Sequence, residues 1–146
     1  QLREIFSITK KPFILKGIMS ARGALKAVEA GATGIVISNH AGNTMDQSLS
    51  TIEVLEEIRN AVGDKLLLII DGGFRHGEAV FKALALGADA VLIGRPYIVV
   101  AEGGEARGVE LYTQKLVWEL QNAMRMTGCR TLKDITRDKV VVTKEF

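Results

Sequence analysis

The stretch KAVEAGATGIVIS at 26–38 returns without gaps as KALALGADAVLIG at 82–94. Lys26 falls on Lys82, Gly31 on Gly87 and Ile37 on Ile93, and the same offset of 56 places Gly17 on Gly73. That period is too long for a solenoid repeat and has room for two consecutive strand–helix pairs. Four short apolar runs supply the strands: PFIL at 12–15, GIVIS at 34–38, LLLII at 66–70 and AVLIG at 90–94. None alternates with polar residues, which is how strands covered on both faces look. Helical patterns lie between them. One runs from a Ser20 N-cap to Gly31, and one from Ser50 or Thr51 to Gly63, with Ser50 and Glu53 at capping-box spacing. A third spans about Gly77 to Gly87 and the longest about Glu105 to Thr127, with Leu111, Lys115, Trp118, Asn122 and Met126 near one side. Trp118, Met124 and Met126 are expected to pack, and Leu2, Ile5 and Phe6 mark a helix leading into the first strand.

Strands alternating with helices of this length imply a parallel sheet built from right-handed crossovers. Four such units in a two-unit repeat predict an α/β fold that is half of an eight-stranded barrel. Half a barrel exposes an edge strand on each side and an apolar inner face. The chain is therefore expected to be a fragment, or to pair with the missing half or a second copy of itself as a homo-oligomer. A small open parallel sheet is the plainer alternative.

Composition narrows the classes further. With 146 residues, 47% apolar and 25% charged, one domain can form, burying roughly 70% of the unfolded surface. A formal charge of +2 is no electrostatic footprint for nucleic acid, and no basic stripe with interleaved aromatics exists. No apolar run approaches the ~20 residues of a membrane helix, and the opening QLREIFSITKK does not read as a signal peptide. Cys129 is the single cysteine, which fits a reducing compartment, expected to be the cytoplasm. It reads as a small buried residue.

In barrels of this kind the reactive groups lie where strands end, and phosphate is often held by the loops after the last two strands. Here those loops read Asp71-Gly-Gly-Phe-Arg75 and Gly94-Arg95-Pro96. Gly72 and Gly73 let backbone N–H groups approach a ligand, and Arg75 and Arg95 can bond phosphate oxygens. Each feature alone is common in turns and on surfaces; their coincidence at two successive strand ends favours phosphate. His40, two residues past the second run, suits a general base. Lys16, closing the first run, suits the stabilisation of developing negative charge, its bland alternative being an amine snorkelling to solvent. His76 reads as a solvated loop residue, and the two histidines lack carboxylates at metal-ligand spacing. The tail 138–146 has no readable purpose.

At these residues the sequence resembles the FMN-dependent 2-hydroxy-acid oxidase and dehydrogenase family. The match covers ILKGI, SNH, DGGFRHGEAVFKALALGADAVLIGRP and TGCRTLKDI. The DGG…GAD…IGRP portion is shared with other phosphate-binding barrels such as IMP dehydrogenase; KG followed by SNH is more specific. The resemblance implies the C-terminal half of a (β/α)8 TIM barrel, strands five to eight, over residues 1–146, with 128–146 as its C-terminal extension. It implies FMN as cofactor and a small 2-hydroxy acid as substrate. Lys16 would approach the flavin ring, Ser38 would contact it, and His40 would take a proton from the substrate. Asp71, Gly72, Gly73 and Arg75 would hold the ribityl phosphate, completed by Gly94 and Arg95. One position departs. Asn43 stands where the family carries the arginine that grips the substrate carboxylate, and an amide supplies no cationic fork. The substrate is therefore an ordinary 2-hydroxy acid bound by other groups, or an altered one, or the half-barrel only binds flavin or phosphate.

Overall fold

The computed structural model describes residues 1–8, 11–43 and 45–143. The last three residues of the tail and Thr44 of the 38–46 loop lie outside them. Two compact units are present, the first comprising residues 1–72 and 88–92, the second residues 73–87 and the chain from Ile93 onward.

The first unit carries a parallel four-stranded sheet in the order β1 (Ile14–Lys16), β2 (Gly34–Ile37), β3 (Leu67–Ile70) and β4 (Ala90–Val91). Sequential order with parallel pairing is what repeated right-handed crossovers produce. Helix α1 (Leu2–Ile8) precedes β1, and Phe6 stacks on Phe13 with ring centroids 4.5 Å apart. Helices α2 (Ala21–Ala30) and α3 (Thr51–Val62) form the crossovers between β1, β2 and β3. The expected caps are in place. Ser20 accepts the Gly23 N–H at 3.1 Å, and Ser50 and Glu53 close a capping box.

One face of this sheet is sealed. Ile35, Ile37, Leu68 and Ile70 are fully buried, as are Ala24, Leu55 and Ile58 from α2 and α3. The register places Ile14 beside Gly34 and Leu67, and Lys16 beside Val36 and Ile69, on the opposite face. There Ile14 and Leu67 remain 45% and 42% exposed, so the sheet buries one side and leaves the other half open. Gly34 is required at this register, because a Cβ there would lie 2.8 Å from the Leu67 carbonyl oxygen.

The second unit pairs α4 (Gly77–Ala85) with α5 (Arg95–Met126). Its core is Phe81, Ala85, Cys129 and Ile135, with Leu120, Ala123 and Met124 packed against it. Cys129 is buried as expected, its thiol donating to the Asp134 carbonyl at 3.2 Å.

Two expectations need correction. AVLIG pairs only through Ala90–Val91, because Gly94 already caps a helix and Pro96 sits in its first turn, where a missing N–H costs nothing. Helix α5 is two helices joined at a kink at Glu105 (φ 48°, ψ −141°): a stretch from Arg95 that the apolar period does not suggest, then the long helix expected from about Glu105. Its inward face holds Leu116, Glu119, Leu120, Ala123 and Met124, whereas Trp118 and Met126 are 61% and 81% exposed. The large apolar residues misled the reading of that face.

The repeat is visible in the backbone. Gly17 and Gly73 have φ of 91° and 81°, and Gly31 and Gly87 have 92° and 106°. Each pair marks the same event, the turn after a strand and the end of a helix, in a left-handed conformation that glycine adopts without strain.

Candidate functional site

Strand ends bring four of the expected residues together in the first unit. Lys16 closes β1, and its ammonium donates to Ser38 Oγ at 2.7 Å and pairs with Asp71 Oδ2. Ser38, just past β2 and 3% exposed, also accepts the His40 N–H at 3.2 Å. Asp71 follows β3, its N–H bonded to the Ile37 carbonyl and its own carbonyl accepting the Thr51 hydroxyl. Thr51 escaped the sequence reading, since a buried hydroxyl opening a helix looks like a cap. Asp71 Oδ1 is buried with no hydrogen-bond partner among the described residues, a state that normally calls for a donor.

His40 and Ala41 are held at φ of 54° and 58°. Histidine tolerates this left-handed region better than most residues; alanine does so at a cost of roughly 1–2 kcal/mol. Backbone strain of this kind concentrates where a side chain must be aimed. His40 is exposed and borders a cavity of about 450 Å³ lined by Gly17, Met19, Ser38, Met45 and Leu49 among others. Asn43 follows, exposed, with its N–H on the His40 carbonyl at 3.2 Å.

The remaining expected residues belong to the second unit, except Gly72. Gly72 (φ 97°) would bring a Cβ to within 3.3 Å of the Thr51 hydroxyl, and Gly73 (φ 81°) faces open space. Arg75 is exposed, and its guanidinium donates to the Gly73 carbonyl at 3.2 Å. Arg95 is the first residue of α5 after its Gly94 cap, where unpaired N–H groups of a helix start favour an anion.

A family model for FMN-dependent dehydrogenases matches residues 1–142. The chain belongs to the FMN-dependent dehydrogenase family. It is 48% identical over 139 residues to a peroxisomal (S)-2-hydroxyacid oxidase of Arabidopsis thaliana, covering 95% of this chain and 38% of the relative. An L-lactate oxidase of Lactobacillus jensenii is 46% identical over 124 residues, covering 85% of this chain and 30% of the relative. Among solved structures, mandelate oxidase with benzoyl-formic acid superimposes with a TM-score of 0.89 at 40% identity, over 93% of this chain and 41% of that one. The fold is the C-terminal part of a TIM barrel, and the chain spans less than half the length of these relatives.

Within this member of the FMN-dependent dehydrogenase family, a second polar cluster was not legible in the sequence. His76, Glu78 and Glu119 present ligand atoms within 4.8 Å of one another. Lys115 already places an ammonium there, bonded to Glu119 and 3.2 Å from His76 Nδ1. A metal ion would have to displace that charge. Burial pushes the Glu119 carboxyl up, but the Lys115 ammonium and the Gly77 N–H more than offset it and hold the group below its ordinary value. Tyr112, Lys115 and Glu119 all act on residues 75–77; their spacing of three and four, one helix face, was the available signal. No helix among the described residues is long and apolar enough to cross a membrane.

Proposed function

We propose that this chain is the C-terminal half, residues 1–146 with 128–146 as an extension, of an FMN-dependent enzyme oxidising a small 2-hydroxy acid to the 2-oxo acid. The observation that carries it is the Lys16–Ser38–His40–Asp71 cluster at three strand ends beside a cavity. Asp71 supports the cofactor directly. Its buried, unpartnered Oδ1 accepts a donor such as a ribityl hydroxyl, while Oδ2 stays with Lys16. Gly72, Gly73 and Arg75, with Gly94 and Arg95, would hold the phosphate. Bound FMN would supply the two-electron acceptor.

The protein's own part is proton transfer and charge. His40 takes the proton from the substrate, and its backbone tie to Ser38 keeps the ring on the cavity wall. Lys16, anchored by Ser38 and Asp71, places a positive charge where negative charge develops. The open face of the sheet supports a covering partner, either the N-terminal barrel half or a second copy. Such an enzyme would be a homo-oligomer binding no nucleic acid. A cytoplasmic location fits the single buried cysteine, which is equally compatible with the peroxisome of the Arabidopsis relative.

One observation favours a second reading, an altered substrate. Among the described residues, those lining the cavity are Gly17, Met19, Ser38, Asn39, His40, Met45, Ser48 and Leu49, none of them a lysine or arginine. With Asn43 in place of the cationic fork, a carboxylate loses a charged hydrogen bond of about 1.5–3 kcal/mol, or roughly one to two powers of ten in affinity.

The test is anaerobic bleaching of the flavin by a panel of 2-hydroxy acids, with both barrel halves present. His40→Gln is expected to slow bleaching roughly 10²- to 10⁴-fold, the usual worth of a general base, with FMN affinity retained. Bleaching at the parent rate removes His40 from the reaction.

A further inference from the structure

We infer that Tyr112 of α5 is a positioning residue that aims both arginines of the phosphate site, an inference that rests on the phosphate role proposed for Arg75 and Arg95. The Tyr112 hydroxyl donates to the backbone carbonyl of Arg75 at 3.0 Å. Its ring meets Tyr97 edge to face, with centroids 5.0 Å apart and planes at 76°. Tyr97 stands two residues after Arg95 in the first turn of α5, its N–H bonded to the Gly94 carbonyl at 2.9 Å. Its own hydroxyl is pinned to Thr113 Oγ1 at 2.9 Å. One side chain thus braces the backbone of Arg75 through its hydroxyl and the turn carrying Arg95 through its ring.

The rest of the helix face keeps that brace in register. Lys115 reaches His76, and Glu119 accepts the Gly77 N–H at 2.8 Å, so residues 75, 76 and 77 are each held from α5. Gly77 sets the depth of docking. A Cβ there would run into the backbone of Leu116 and Leu120 and lie 2.7 Å from Glu119 Cβ. Burial pushes the Tyr112 phenol above its ordinary value, so the hydroxyl stays a donor throughout the neutral range. An exposed arginine is otherwise free to sample many rotamers; a guanidinium whose own carbonyl is fixed samples fewer positions around an anion.

The experiment compares FMN with riboflavin, which lacks only the phosphate, by flavin fluorescence titration of the protein with both barrel halves present. Tyr112→Phe keeps the ring and removes the hydroxyl. It is expected to weaken FMN roughly 2- to 12-fold, the range of one hydrogen bond, while riboflavin affinity stays unchanged. Lys115→Met, which leaves the tyrosine pair intact, is expected to shift the FMN-to-riboflavin ratio in the same direction by less. An equal loss for both ligands, or no loss for either, overturns the positioning role. Arg75→Ala is the control for the underlying reading. If it leaves the ratio unchanged, the phosphate assignment fails; if it lowers the ratio and Tyr112→Phe does not, only the inference about Tyr112 fails.

Discussion

The ion pair between Lys16 and Asp71 lends itself to a quantitative test. Lys16 is 49% exposed at its side chain and Asp71 19%, so the pair lies between two limits. Exposed pairs contribute about 0–1 kcal/mol, while breaking a buried one costs about 3–5 kcal/mol. Discounting for the half-exposed lysine gives a coupling of about 1–2 kcal/mol. Lys16→Met retains the aliphatic stem but also loses the bond to Ser38, about 1 kcal/mol more, for a total near 2–3 kcal/mol. Asp71→Asn is close to isosteric and removes the charge, at about 1–2 kcal/mol. The double variant should therefore be more stable than the two single losses predict, by the coupling. Urea denaturation of all four proteins, read where the m-values agree, measures this directly. Losses that add to within about 0.5 kcal/mol would refute the premise that Lys16 and Asp71 form one unit.

Ala41→Gly should stabilise the protein by roughly 0.5–1 kcal/mol, because relief of the left-handed alanine exceeds the entropy glycine adds to the unfolded chain; a lower denaturation midpoint would contradict it. Asn43→Arg should lower the KM for a simple 2-hydroxy acid by roughly 10- to 100-fold if the missing fork is the limitation, measured by steady-state turnover. Glu119 has a depressed carboxyl in the folded state. Its contribution is fully present above the ordinary glutamate value of about 4.3 and is lost as the pH falls through the folded value below that. Acid unfolding should accordingly be steeper in the parent than in Glu119→Gln, followed by far-UV circular dichroism.

The strand–helix alternation was readable because each local signal agreed with the global fold. Ser20, Ser50, Gly31 and Gly63 cap where their chemistry says they should, and four apolar runs had one sheet to enter. The ends of elements were less legible. Leu92, Ile93 and Gly94 continue an apolar run, yet Pro96 and the Gly94 cap turn them into the approach to a helix. The orientation of α5 failed for a different reason: hydrophobicity predicts an inward face only where something covers it, and Trp118 and Met126 stand uncovered. Lys16 and His40 were legible as candidates because strand ends gather side chains from distant sequence, whereas the roles of Ser38 and Asp71 came from the family resemblance. Tyr112 and Glu119 were missed because they bond backbone atoms, which leaves only their placement on one helix face as a signal.

The lone pairs of the Ser38 hydroxyl are both in use. A hydroxyl oxygen has two, and here the Lys16 ammonium takes one and the His40 amide the other. Only its hydrogen is left to offer. Any group that meets the Ser38 hydroxyl must therefore accept its hydrogen, because both lone pairs are already held by the protein.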